Sequence, residues 1–205
     1  MVGSSADAVL AVLREGRLRD IRTHLQALSP EEAHAATERV CVLLRHALAG
    51  KTLGPEHRWL IMALQYVGSS DAGELATQAL AQAVRLKNCC GCTLNRTVRV
   101  VGATKPVEAI PILVDVVCRT EHPRHKHLAA VCLRQIVKAR GAKARVLLSR
   151  GRAKLRRELR HMETQLGVTP TVTPPRGWVH VPGSPSWRAA LARAIRATEA
   201  LLALA

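Results

Sequence analysis

The chain has 205 residues, 48% of them hydrophobic, and a formal net charge of +16. This hydrophobic content excludes a wholly disordered chain, and no apolar run approaches the roughly 18 to 20 residues that a membrane span needs. The length suits one folded unit with appendages better than two independent domains. We therefore expect a soluble, strongly basic protein without a membrane span.

Boundary signals for helices occur in nearly every segment, whereas strand-like alternation is almost absent. Helices are predicted over about residues 5–15 and 17–28. Ser29, Pro30 and Glu32 then supply an N-cap, a first-turn proline and a third-position acid, a capping box that opens a helix ending at Gly50. The fold class predicted from these signals is all-α.

Six further helices continue this pattern toward the C-terminus. They are predicted over about residues 55–68, 70–87, 92–102, 104–119, 123–141 and 143–166. The starts of alternate helices lie 31 to 37 residues apart. A period near 35 residues in paired helices is typical of a short α-solenoid.

Two segments, in the fourth and fifth of these six helices, resemble a known repeat. Residues 109–113 (AIPIL) and 129–136 (AAVCLRQI) resemble the two helices of a HEAT repeat, with Pro111 inside the first helix. Residues 59–68 and 94–103 are similar to second helices of the same kind. The resemblance implies a short α-solenoid of about three degenerate HEAT-like helical hairpins, of the HEAT/armadillo class.

The predicted organisation has five parts, of which the last two change in character. Five Pro with Gly and Thr predict an extended linker, and Ser186 is expected to cap a final helix. That helix either covers the end of the solenoid or docks on a partner. The parts are N-terminal helices (1–29), HEAT-like repeats (30–140), a basic helix (141–167), a Pro-rich linker (168–186) and a C-terminal helix (187–205).

Most of the excess charge falls in residues 119–160, which we call the basic tract. It contains fourteen basic residues against Glu121 and Glu158, a net +12. Such crowding of like charge favours a polyanionic partner, because self-repulsion is then relieved. An apolar stripe is expected to hold the helix down and turn the Arg stripes outward. It comprises Leu148, Leu155, Leu159, Met162 and Leu166.

The basic tract is suited to binding phosphate groups. Neutralisation of phosphates by Lys and Arg supplies much of the affinity of a protein for nucleic acid. Few aromatic residues are present to stack on bases, so backbone contact is expected. Gln65, Arg99 and Arg134 fall at equivalent positions of successive repeats. They either continue this binding surface or are ordinary polar residues in contact with water. The expected RNA-binding residues are Arg99, Arg124, Lys126, Arg134, Lys138, Arg140, Lys143, Arg145, Arg150, Arg152, Lys154, Arg156, Arg157 and Arg160.

A Cys/His group offers a second candidate site. Cys89 and Cys92 are spaced as C-x-x-C, and Cys118 and His122 follow, so that two repeat turns on one edge would together supply four zinc ligands. The customary second C-x-x-C or H-x3-H is missing, and histidines beside Arg124 also suit phosphate contact. Zinc is therefore an alternative, and no other cofactor is expected.

The sequence predicts a non-enzymatic RNA-binding scaffold protein of a large ribonucleoprotein, for example an organellar ribosome, with neighbouring proteins as further partners. An adaptor for an acidic protein is the alternative. A nucleic-acid enzyme is a third hypothesis, and it would need a buried acid near the basic surface. Asp115 is the candidate acid, but an ion pair with its i,i+4 neighbour Arg119 explains this residue adequately. No signal peptide is recognised and several Cys lie on apolar faces, which indicates a reducing intracellular compartment, mitochondrial matrix or cytoplasm.

Overall fold

The computed structural model describes residues 11, 23, 26–50, 57–64, 71–85, 91–167 and 182–205. All regular structure in these residues is helical, which confirms the all-α class. Most of the predicted N-terminal helices and of the Pro-rich linker lie outside them. The described helices are α1 (Pro30–Ala49), α2 (Arg58–Leu64), α3 (Ala72–Arg85), α4 (Gly91–Thr104), α5 (Ile110–Arg119), α6 (Pro123–Gly167) and α7 (Pro185–Leu202).

The chain divides into two compact units, unit 1 (residues 1–106) and unit 2 (residues 107–205). The predicted solenoid concerns repeats that run through both units, and it stays a prediction. None of the helices within the described ranges is both long enough and apolar enough to cross a bilayer.

Helix α1 begins at the predicted capping box. The backbone N–H of Ser29 donates to Glu32 Oε2 at 2.9 Å, and the backbone N–H of Glu32 donates to Ser29 Oγ at 3.3 Å. Its C-terminal end is also at the predicted position, because the N–H of Gly50 donates to the carbonyl of His46. These bonds satisfy backbone groups that a helix end leaves without intrahelical partners.

The core of unit 1 is built from small and aliphatic side chains. Helix α3 packs on α4, and α1 packs on α2. Four alanines of α3 are buried and allow close approach of its neighbours: Ala72, Ala76, Ala79 and Ala83. In α4, Thr97 is fully buried and its hydroxyl donates to the carbonyl of Thr93 at 2.8 Å, so this polar atom is satisfied inside the helix.

Helix α6 is a hairpin of two antiparallel segments, residues 123–140 and residues 142–167. Gly141 between them has φ 60° and ψ −134°, which is not helical. Lys126 Nζ lies 2.6 Å from Glu158 Oε1, although these residues are 32 positions apart. In a straight helix they would be separated by about 48 Å. The chain must therefore reverse at Gly141, and we call residues 123–167 the α6 hairpin.

Helix α5 packs against the α6 hairpin, and its start differs from the prediction. A single turn of 3-10 helix, Val107–Ala109, precedes α5, so Pro111 lies in the first turn of α5. The sequence pattern predicts Pro111 inside a longer helix instead. Proline is tolerated in a first turn because no intrahelical partner is required for its missing N–H.

Contact between α5 and the second hairpin segment is close at Gly151. A Cβ added to Gly151 would lie 3.0 Å from both γ-carbons of Val114. Val114 is buried, so it has little room to move aside. Glycine at position 151 therefore permits the observed distance between these helices.

Helix α7 covers the far end of the second hairpin segment. It begins at Pro185 with Ser184 as its N-cap, and the Ser184 hydroxyl accepts from the backbone N–H of Trp187. The sequence pattern predicts Ser186 in that role instead. Trp187 and Leu191 pack with Met162, flanked by Leu159 and Leu166. Helix α7 therefore covers the apolar surface that Leu159, Met162 and Leu166 form in unit 2.

Candidate nucleic-acid interface

Unit 2 holds most of the positive charge of the chain. Residues 107–205 contain eighteen basic and six acidic side chains, a net +12 of the total +16. Folding concentrates this charge further, because the segments 123–140 and 142–167 lie side by side. The sequence places the charge in a linear tract, and the structure converts that tract into one hairpin.

The apolar stripe predicted on the second hairpin segment is confirmed. Leu148, Leu155 and Met162 are fully buried, and Leu159 and Leu166 are partly buried against α7. Because this stripe faces the other helices, the remaining faces of the segment turn toward solvent.

Most of the expected phosphate-binding residues of unit 2 have exposed side chains. Arg99 is also exposed, but it belongs to unit 1, and Gln65 lies outside the described residues. The proposed ladder of Gln65, Arg99 and Arg134 stays a prediction. The exposed members in unit 2 are Arg124, Arg134, Lys138, Arg140, Lys143, Arg145, Arg150, Lys154, Arg156, Arg157 and Arg160.

Lys126 corrects the prediction, because it is not on this surface. Its residue surface is 4% exposed, and its Nζ donates to the carbonyl of Val117 at 3.0 Å and to Glu158 at 2.6 Å. A phosphate cannot reach an ammonium group that is enclosed in this way. The spacing of Gly151, Leu155, Glu158 and Met162 along one face is the sequence signal that indicates burial of Glu158 and of a cation beside it.

Two other expected contacts are shared with acids of unit 2. Lys154 Nζ lies 3.3 Å from Asp115 Oδ1, and Lys143 Nζ lies 3.8 Å from Glu108 Oε1. Both lysines are exposed, so these pairs contribute little to stability and leave the ammonium groups accessible. Asp115 Oδ2 also lies 3.7 Å from the guanidinium of Arg119, the i,i+4 neighbour that the sequence predicts as its partner. Asp115, the acid that the enzyme hypothesis would need, thus takes part in ion pairs.

Arg152 is half-buried, unlike its neighbours in the Arg stripes. Its Nε is enclosed and has no hydrogen-bond partner within the portion of the chain that the structure describes. The exposed Arg145 and Arg156, which follow the same row of the helix, are therefore better candidates for phosphate contact than Arg152.

The candidate zinc site is not assembled among the described residues, where no three His, Cys, Asp or Glu side chains lie together as metal ligands. Cys89 falls outside them, and so does the side chain of Cys92. Cys118 is half-buried, and burial raises the pKa of its thiol to about 11, with the Glu158 carboxylate adding to the effect. Because two of the four expected ligands are not described, zinc binding stays a prediction. His122 Nδ1 accepts from the backbone N–H of Arg124 at 3.2 Å.

The described aromatic side chains provide no platform for stacked bases. Trp187 of α7 is buried, and Trp59 is half-buried in unit 1, while Tyr66 and Trp178 lie outside the described residues. In the described part of unit 2, cationic side chains are the main exposed groups that could contact a nucleic acid. Comparison with known proteins adds nothing further: no family model, curated protein or solved structure matches the chain.

Proposed function

We propose that the chain is a non-enzymatic RNA-binding protein that contacts phosphates through the α6 hairpin. The observation that carries this proposal is the set of exposed arginines on the second segment. Among the described residues, no acidic side chain lies within ion-pair distance of Arg145, Arg150, Arg156, Arg157 or Arg160. A solvated helix ordinarily interleaves acids with such cations, so an anion from outside is the simplest partner.

Arginine suits phosphate in particular, because its planar guanidinium donates two parallel hydrogen bonds to one oxyanion. The stripe of buried leucines fixes the helix, so the arginines project from a rigid support. Each phosphate neutralised releases counterions, and affinity then falls steeply with salt. A place in a large ribonucleoprotein such as an organellar ribosome, HEAT-like repeats and a mitochondrial or cytoplasmic location belong to the same proposal.

The experiment measures binding of the full chain to a structured RNA by filter retention across a salt series. We expect a steep linear decrease of log affinity with log salt. The double variant Arg156→Gln/Arg160→Gln should reduce the slope by about two, one for each phosphate that is no longer neutralised. The matched control is Arg193→Gln/Arg196→Gln, which removes the same charge from exposed positions of α7.

A slope near zero, or an equal effect of both double variants, contradicts the proposal. The alternative, an adaptor for an acidic protein, is separated by nuclease treatment of the native complex. An RNA-dependent assembly is released by nuclease, whereas a directly bound acidic protein stays.

A further inference from the structure

The exposed side of the second α6 segment carries three parallel rows of side chains. A central row of small, uncharged residues, which we call the ridge, contains Ala142, Val146, Ser149 and Ala153, and all four are exposed. One row beside it, flank A, contains Arg145, Arg152 and Arg156. The row on the other side, flank B, contains Lys143, Arg150, Lys154 and Arg157.

Helical spacing places these rows at fixed angles. At about 100° per residue, the flanks lie about 70 to 80° on either side of the ridge, and so about 150° apart. The buried row is opposite the ridge, with Ala144, Leu148, Gly151 and Leu155 repeating at intervals of four, three and four. The burial of this row therefore confirms how the segment is oriented about its own axis, and so which rows face solvent.

The acidic residues of unit 2 approach only some of the cations beside the ridge. Asp115 and Glu108 approach Lys154 and Lys143, which form the outer edge of flank B. Arg150 and Arg157 of the same flank, nearer the ridge, are exposed and have no acidic side chain within ion-pair distance in the described chain. Flank A presents Arg145 and Arg156 in the same way. Each side of the ridge therefore offers two arginines to an outside anion.

The ridge is shaped for close approach to a surface that is not strongly charged. Val146 is 56% exposed, and nothing longer than valine projects from these four positions. Ser149 Oγ donates to the carbonyl of Val146 at 2.8 Å, which leaves the hydroxyl oxygen as an acceptor. A single strand of RNA needs one row of cations and aromatic side chains for its bases, whereas this face has two rows and no aromatic side chain.

We propose that this face binds an RNA double helix across its minor groove, with each flank on the phosphates of one strand. An A-form minor groove is wide and shallow and displays 2′-hydroxyls along its floor. The ridge would lie over that floor, where Ser149 can accept from a 2′-hydroxyl. This inference rests on the proposed RNA-binding function and names the form of RNA that the face fits.

The test measures the affinity of the full chain for three probes at about 100 mM salt. The probes are an RNA duplex of about 20 base pairs, one of its strands alone, and a DNA duplex of the same sequence. The RNA duplex should bind at least about tenfold more tightly than either other probe, because only it offers two phosphate rows beside 2′-hydroxyls. Two double variants then test the flanks: Arg145→Gln/Arg156→Gln for flank A and Arg150→Gln/Arg157→Gln for flank B.

Each flank variant should weaken duplex binding by about tenfold or more and reduce its salt slope by about two. The control Arg193→Gln/Arg196→Gln should change neither by a comparable amount. Ala153→Gln lengthens the ridge without a charge, and it should weaken duplex binding more than it weakens single-strand binding. Unchanged urea midpoints show that the variants fold.

Equal affinity for the single strand, or for the DNA duplex, overturns the inference while leaving RNA binding in place. Loss of affinity from one flank variant alone also overturns it, because the two strands would not both be held. No salt-dependent binding of any RNA would contradict the proposed function as well, so the two failures are distinguishable.

Discussion

Lys126 and Glu158 form a buried ion pair that joins the two segments of the α6 hairpin. Their side chains are 5% and 11% exposed, and the ammonium group also donates to the carbonyl of Val117. Removing two charges from water is costly, and attraction between them offsets that cost only while both are present. We therefore expect the pair to fix which residues of the two segments face each other more than to add stability.

Replacement of one partner should be strongly destabilising. Lys126→Met leaves a buried carboxylate without its cation, and we expect a loss of about 3 to 5 kcal/mol in the free energy of unfolding. Urea denaturation monitored by circular dichroism measures it. The exposed pair supplies the control, because Lys154→Met removes a cation from Asp115 and should cost about 1 kcal/mol or less.

The double variant Lys126→Met/Glu158→Leu should recover most of that loss, since two apolar side chains of similar volume can fill the same space. If Lys126→Met and Lys154→Met have equal effects, the pair is not buried in solution. If the double variant is no more stable than Lys126→Met alone, the loss comes from packing and not from an uncompensated charge.

The thiols of unit 2 should be unreactive in the native protein. Burial raises the pKa of Cys132 to about 12 and that of Cys118 to about 11, so the thiolate is scarce at pH 8.5. We expect iodoacetamide to label both far more slowly in the native protein than in urea, as measured for each cysteine by mass spectrometry. Equal rates at Cys118 in the two conditions would contradict its burial.

The same raised pKa values give a direction for stability. The neutral thiols contribute fully below the pKa near 9 of the unfolded chain. Their contribution is lost as the pH rises from about 9 toward the folded pKa values of about 11 and 12. Urea midpoints of the native sequence and of Cys118→Ser between pH 8 and 11 check this direction, and the variant should show the smaller decrease.

At the scale of elements, the reversal at Gly141 determines what α6 is. Its φ of 60° with ψ of −134° is a conformation that a residue with a Cβ adopts only under strain. No atom lies within 4 Å of where a Cβ would be, so the requirement for glycine comes from the backbone and not from crowding. Glycine therefore allows the reversal that brings the two segments into antiparallel packing without backbone strain.

We expect Gly141→Ala to reduce the free energy of unfolding by about 1 to 3 kcal/mol. Gly167→Ala is a matched control, because its Cβ would also meet no atom within 4 Å and its φ is not positive. The control should be neutral or slightly stabilising, as alanine favours helix. Similar urea midpoints for the two variants would show that Gly141 does not hold the reversal.

At the scale of the whole molecule, the charge of unit 2 sets its response to salt. The excess positive charges that give unit 2 its net +12 repel one another, and this repulsion destabilises the compact state. Exposed ion pairs such as Lys154 with Asp115 are weakened by salt, but in the part of the chain that the structure describes they are too few to offset the relief of repulsion. Salt and polyanions should therefore both stabilise the protein.

We expect the melting temperature to rise between about 50 and 500 mM NaCl, because the Debye length shortens from above 10 Å to below 8 Å and screens the arginines from one another. Differential scanning calorimetry measures the change. A variant with Arg150, Arg156, Arg157 and Arg160 all replaced by Gln should rise less. A melting temperature that falls with salt in the native sequence would mean that attractive pairs dominate.

The sequence by itself determined the all-α class, the capping box at Ser29, the leucine stripe of the basic helix and the location of the positive charge. These are local properties, since capping and helical periodicity depend on residues within a few positions of one another. For the same reason the rows of the second α6 segment are readable in advance from spacing alone.

Tertiary structure decided what local signals could not. Lys126 is a cation in a basic tract by sequence, and only its contact with Glu158, 32 positions away, removes it from the surface. The reversal at Gly141 likewise turns a run of charge into a hairpin, and α5 with the turn before it provides acids for two of its lysines. Each of these depends on long-range packing, in which burial and partners are set by helices that the local sequence does not specify.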